Sequence, residues 1–172
     1  MVHGGQFNRN FGEDVQYGIL ISNMGEYNAS RPTYVKSSAF HHGLGVAIGI
    51  LSSAGVLIEN NIVHHTIDFG IRVEGKNNLI RRNLVTVNYW GSTFLTSEAN
   101  ADMFYWGSID VSHADSVTLE DNFIAGSERV GYNTRGKHLI VLSTNYCDYK
   151  YLASFFLGLW LLGLRHEFFS IQ

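Results

Sequence analysis

One short pattern returns four times along this chain and sets most of what it can fold into. It reads Val35-x-x-Ser38-x-Phe40, Ile58-x-x-Asn61-x-Val63, Ile80-x-x-Asn83-x-Val85 and Leu119-x-x-Asn122-x-Ile124. Ser38 to Asn61 is a step of 23, Asn61 to Asn83 of 22, and Asn83 to Asn122 of 39. A second strand-like pair follows each copy: Ile48-x-Ile50, Ile71-x-Val73, Ile109-x-Val111 and, more weakly, Tyr132-x-Thr134. Gly70 and Gly75 recur as Gly131 and Gly136. A fixed period in the twenties is the signature of a stacked solenoid. The alternation of apolar residues is strand-like, so the unit is a β-coil and not a helix pair. The fold this predicts is all-β: a right-handed parallel β-helix of about four coils.

In such a stack each turn lies roughly 4.8 Å above the last, the ordinary spacing of paired strands. Equivalent residues then form ladders. Ile58, Ile80 and Leu119 make one interior ladder, and Val63, Val85 and Ile124 make another with Phe40 at its end. One coil alone cannot bury its apolar face, but neighbouring coils bury it for each other. Asn61, Asn83 and Asn122 fall where the chain turns between two strands. Asparagine tolerates left-handed backbone geometry, and stacked amides can hydrogen-bond along the ladder. The asparagines are therefore read as structural.

The third step is much longer than the second, 39 against 22, and the surplus falls between Val85 and Ile109. It predicts a lateral loop at about 90–107, leaving the ladders above and below in register. The loop carries Trp90, Phe94, Phe104, Tyr105 and Trp106 among Ser, Thr, Asn and Asp. Aromatic residues on a long loop can recognise a ligand or fold back over the flank of the stack. These five form the candidate ligand loop.

Composition bounds the remainder. The chain has 172 residues, enough for one domain, and 45% of them are hydrophobic, which supports a packed core. A net charge of −3 gives no electrostatic case for nucleic acid. The single cysteine, Cys147, can form no internal disulfide. Residues 1–34 are read as an N-terminal segment holding one strand-like run, Tyr17 to Ser22, either a degenerate coil or the end of a preceding domain. It shows no basic start followed by an apolar run, so no secretory signal is expected. Asn28-Ala29-Ser30 fits the glycosylation acceptor pattern. Residues 35–136 hold the repeats. Residues 137–172 are read as a divergent apolar tail, in which the run from Leu152 to Leu164 is almost unbroken. That run is well short of the roughly 20 residues a helix needs to cross a bilayer. A full span is not expected.

The stretch Ser37-Ser38-Ala39-Phe40-His41-His42-Gly43 through Ala47-Ile48-Gly49 resembles the fibrocystin-like family. So do Ile58 to Val63, Phe69-Gly70-Ile71-Arg72-Val73, Asn83-Leu84-Val85 and the segment from Ala125-Gly126 to Gly131-Tyr132. The resemblance covers about residues 15–136. It implies part of a very large cell-surface receptor, with a long extracellular region and one membrane anchor far along the chain. It also implies an extracellular or cell-surface location for the full-length protein, and an extracellular protein or glycan as partner. Membrane association would come through the parent protein or weakly through the apolar tail. The same pair of modules occurs in hyaluronan-handling proteins, so an extracellular glycan-binding or glycan-degrading module is the rival expectation. The unmatched tail suggests a fragment or a spliced product.

The residues point to no catalytic machinery, and no cofactor or metal is expected. His41-His42 and His64-His65 occupy equivalent places one period apart, and stacked imidazoles could share a metal. The third coil offers Thr86 and Val87 there, so a stacked histidine ladder beside a turn is the reading adopted. Glycan-cleaving β-helices cluster their acids. Here Asp68, Glu74, Asp110 and Asp115 come from different coils. Alignment of Ile109 with Ile71 places Asp110 over Arg72 and predicts a cross-coil surface ion pair.

Overall fold

The computed structural model describes residues 17–25, 30, 32–43, 45–89, 107–128, 130–134 and 139–148. Among the described residues, fifteen strands form three parallel sheets of five. The first sheet stacks β1 (Tyr17–Ser22), β4 (Val46–Ala54), β7 (Ile71–Lys76), β10 (Gly107–Ala114) and β13 (Val130–Asn133). The second stacks β2 (Tyr34–Lys36), β5 (Leu57–Glu59), β8 (Asn78–Arg81), β11 (Ser116–Glu120) and β14 (Leu139–Ser143). The third stacks β3 (Ala39–Gly43), β6 (Ile62–Ile67), β9 (Leu84–Tyr89), β12 (Phe123–Ser127) and β15 (Tyr146–Asp148). The chain visits the three sheets in turn, then begins the next rung. That is a right-handed parallel β-helix.

The expected ladders are present residue for residue. Ile58 pairs with Ile80 and Ile80 with Leu119. Phe40 pairs with Val63, Val63 with Val85 and Val85 with Ile124. In the first sheet Ile19, Ile48, Ile71, Ile109 and Tyr132 align. Ile48, Ile58, Ile71, Ile80, Ile109, Leu119 and Ile124 are fully buried. Each such side chain contributes roughly 1.5–3 kcal/mol on burial.

One expectation is extended and one corrected. Among the described residues the stack counts five rungs, one more than the repeat copies alone indicate, and each has three strands. Tyr17–Ser22 supplies the first strand of the first rung. The repeat also does not stop at Gly136, because β14 pairs with β11 and β15 with β12. Leu142-x-x-Asn145-x-Cys147 is a fifth copy of the pattern, one period beyond the copy that opens on Leu119. Cysteine stands there in place of the aliphatic residue and packs against the core. Asn28, the loop aromatics Trp90, Phe94, Phe104, Tyr105 and Trp106, and the apolar run Leu152 to Leu164 lie outside the described residues.

The asparagine ladder works differently from its sequence reading. The left-handed residue at each corner is the one before: Ser37, Asn60, Arg82, Asp121 and Thr144, with φ between 48° and 54°. That twist turns the following asparagine inward, where its amide binds the backbone. Asn83 Nδ2 donates to Ile58 O at 3.1 Å and to Asn122 Oδ1 at 2.9 Å. Asn83 Oδ1 accepts from Asn61 N and Asn61 Nδ2, both at 3.0 Å. Asn122 and Asn145 continue the chain, and Ser38 N donates to Asn61 Oδ1 at its start. Buried polar groups are tolerated because they are satisfied.

Candidate functional site

With the interior committed to packing, chemistry is left to the outward rows. On the second sheet these alternate in charge: Lys36, Glu59, Arg81 and Glu120 stand on successive rungs. Opposite charges on paired strands attract. Glu59 is 5% exposed and collects Lys36 Nζ at 3.1 Å, Arg81 Nε at 2.7 Å and the Arg82 guanidinium. The hydrogen bond from Arg82, then that from Lys36, pulls its carboxyl down to about 2. This is a closed electrostatic knot with its cations already engaged.

The first sheet carries the acids. The β7–β10 pairing puts Asp110 beside Arg72, with Arg72 Nε 3.9 Å from Asp110 Oδ2. The predicted pair exists, but it is not a surface contact: the Asp110 side chain is 3% exposed. The nearer partner of Arg72 is Glu74, at 2.8 Å in the same strand. Asp110 Oδ1 accepts from Asn133 Nδ2 at 2.8 Å and from Ser112 N at 3.2 Å. Burial still raises the Asp110 carboxyl above its ordinary range.

Asp68 joins the same neighbourhood, although it stands on the rung before Asp110 and the long insertion separates the two in sequence. It sits at the corner before β7 with φ 85°. Burial pushes its carboxyl up to about 6, with Arg72 opposing and Asp110 reinforcing the shift. Within the described residues, Asp68 Oδ1, Ser108 Oγ and Arg72 Nε count among the buried side-chain atoms with no hydrogen-bond partner. A carboxyl that keeps its proton to about pH 6 has the acidity a general acid needs.

The third sheet carries the histidines. His41 pairs with His64 and His64 with Thr86. The next position along each strand is left-handed on four successive rungs: His42, His65, Val87 and Gly126, with φ of 54°, 56°, 53° and 66°. Such a residue bulges the strand and re-aims its side chain. The rings of His42 and His65 lie 4.7 Å apart, near the separation expected for stacked rungs. His41 Nδ1 is 3.0 Å from His42 Nδ1, His64 Nδ1 is 2.9 Å from Thr86 Oγ1, and His65 meets the Tyr89 ring at 5.2 Å. Among the described residues no three His, Cys, Asp or Glu side chains converge to hold one ion. Beside this cluster runs an apolar outward row: Ala39, Ile62, Leu84, Phe123 and Tyr146. Ile62, Phe123 and Tyr146 are 41–49% exposed, and the last two rings stack at 4.6 Å.

Residues 17–157 match the family described as right handed beta helix region. The chain belongs to the right-handed β-helix family. Within it, it is fibrocystin-like. It is 30% identical to human fibrocystin-L over 135 residues and 33% identical to mouse fibrocystin-L over 135 residues, 78% of this chain in each case. It is 31% identical to mouse fibrocystin over 145 residues, 77% of this chain. The chain spans about 3% of the length of these relatives. No solved structure matches it.

For this fibrocystin-like β-helix, the sequence placed the histidine pairs and the Arg72–Asp110 pair correctly. It missed three things: the approach of Asp68 to Asp110, the embrace of Glu59 and the exposed apolar row. The last was legible in principle. Ala39, Ile62, Leu84 and Phe123 each follow the ladder residue directly, and an apolar residue beside an inward-turned asparagine must face out. No helix among the described residues is long and apolar enough to cross a membrane.

Proposed function

We propose that this chain is a non-enzymatic segment of the extracellular region of a fibrocystin-like cell-surface protein, serving as a rigid spacer with a lateral interaction surface. Membrane attachment belongs to the parent protein. The observation that carries this reading is the continuity of the ladders. Apolar rows and the amide chain tie each rung to the next without a break, so the segment transmits position and has little internal freedom. The outward apolar row of the third sheet supplies the surface, with Phe123 and Tyr146 as its widest part. Exposed aromatic residues of this kind anchor protein and sugar partners alike. The experiment is surface plasmon resonance of the chain against a library of extracellular domains and glycosaminoglycans. Phe123→Ser with Tyr146→Ser should abolish the captured interaction at unchanged thermal stability. A partner whose binding survives that change would move the surface elsewhere.

The acid group on the first sheet favours a second reading, in which the segment binds or cleaves an extracellular glycan such as hyaluronan. Asp68 supplies a carboxyl protonated near pH 6, and Ser108 supplies a free hydroxyl. Against it, Arg72 is held by Glu74 and Asp110, and Asp110 is held by Asn133 and Ser112. Depolymerisation of hyaluronan by the pure chain, lost in Asp68→Asn or Asp110→Asn, would replace the scaffold reading with this one.

A further inference from the structure

Neighbouring residues of a regular strand point to opposite faces, so a His-His dipeptide in a strand would not ordinarily bring two imidazoles together. The left-handed turn at His42 changes that. It brings the His42 ring round to the side of His41, with the two Nδ1 atoms sharing a hydrogen bond at 3.0 Å, whose proton a metal ion would replace. At metal–nitrogen distances of roughly 2.0–2.1 Å, that separation subtends roughly 90–100° at a shared ion. A near-right angle suits the tetragonal nitrogen sites of copper(II) and nickel(II) better than tetrahedral zinc. His65 sits over His42 at 4.7 Å between ring centroids, and His64 at 6.2 Å. The backbone does not call for histidine here: the same bulge carries Val87 and Gly126 on later rungs. Glycine would sit there without the crowding a β-carbon meets in left-handed geometry.

We propose that His41 and His42 form a bidentate chelate for a divalent transition metal of tetragonal preference, copper(II) or nickel(II). It lies on the outer face of β3, with the His65 ring of the next rung packed beside it. The site is independent of the scaffold reading and lies on a different sheet from the acid group.

The probe is copper(II) supplied as its glycine complex. It is added to the full chain carrying His3→Ala, because a free amino-terminal Met1-Val2-His3 would itself hold copper. Electron paramagnetic resonance should show a tetragonal spectrum with splitting from at least two imidazole nitrogens. Two variants use residues the fold already accepts at these positions, His41→Thr (as Thr86) and His42→Gly (as Gly126). Each should weaken copper binding by roughly tenfold or more, while His113→Ala leaves it unchanged. Binding of equal strength in His41→Thr and His42→Gly would overturn the proposal. So would a spectrum of the parent chain with fewer than two imidazole nitrogens, a result that needs no variant to fold.

Discussion

Asn83 touches three rungs at once: it donates to Ile58 behind it, accepts from Asn61 and donates to Asn122 ahead. Asn83→Leu would keep the volume but strand the Asn61 amide and the Ile58 carbonyl in the interior. Each buried group left without a partner costs about 1–3 kcal/mol, so urea unfolding should show a loss of roughly 3 kcal/mol or more. Charge acts at the same scale with opposite signs at two acids. Asp68 has its native carboxyl raised to about 6, against about 3.9 when unfolded. The native state therefore holds the extra proton, and stability falls as pH rises through that window. Asp68→Asn, at a left-handed position that asparagine tolerates, should raise stability at pH 7 by on the order of 2 kcal/mol and change nothing below about pH 3.5. Glu59 is the reverse. Its carboxyl is depressed to about 2, so its contribution is full above the ordinary glutamate range and is lost as pH falls towards 2. Thermal melts of Glu59→Gln should match the parent in the strongest acid and fall below it near neutrality.

At the scale of the element, the interior was legible because its signal is additive. Ile58, Ile80 and Leu119 repeat with their asparagines at fixed offsets, and a stacked coil has few other ways to bury them. What stayed hidden was carried by residues that break the pattern without breaking the geometry. The fifth copy ends in Cys147, which fills a small apolar place but does not read as a strand aliphatic. The left-handed residue that makes each corner, Asn60, Arg82 or Asp121, has no residue type in common from rung to rung. The charge of Asp110 bears on Asp68 because the extra residues before β10 leave the rungs in step. The strands flanking that insertion pair across it independently, β9 with β6 and β12, β10 with β7 and β13. Replacing residues 92–105 with a short turn should therefore preserve the β signal in circular dichroism and hold the melting temperature within a few degrees.

At the scale of the whole molecule, the last described rung belongs to the stack. Asn122 donates from both its backbone and its side chain to Asn145 Oδ1, at 3.1 and 3.0 Å, and Asn145 Nδ2 reaches Leu119 O at 2.8 Å. Truncation after Gly136 removes β14, β15 and these acceptors. It should lower the melting temperature measurably relative to truncation after Asp148, which leaves every described rung paired. Differential scanning calorimetry of the two products separates them.

The same amide chain also gives the molecule a direction. Asn61, Asn83 and Asn122 each give one amide hydrogen to the side-chain oxygen of the rung that follows and the other to a carbonyl of the rung before, so the side-chain dipoles line up nose to tail, as peptide units do in a helix. Such a column has a giving end and a receiving end. Two copies brought together by their like ends would set donor against donor or oxygen against oxygen. Only the unlike ends match, so an array lengthened from this segment can grow with one arrow along its whole length, and a graft spliced in backwards would find no partner at its seam.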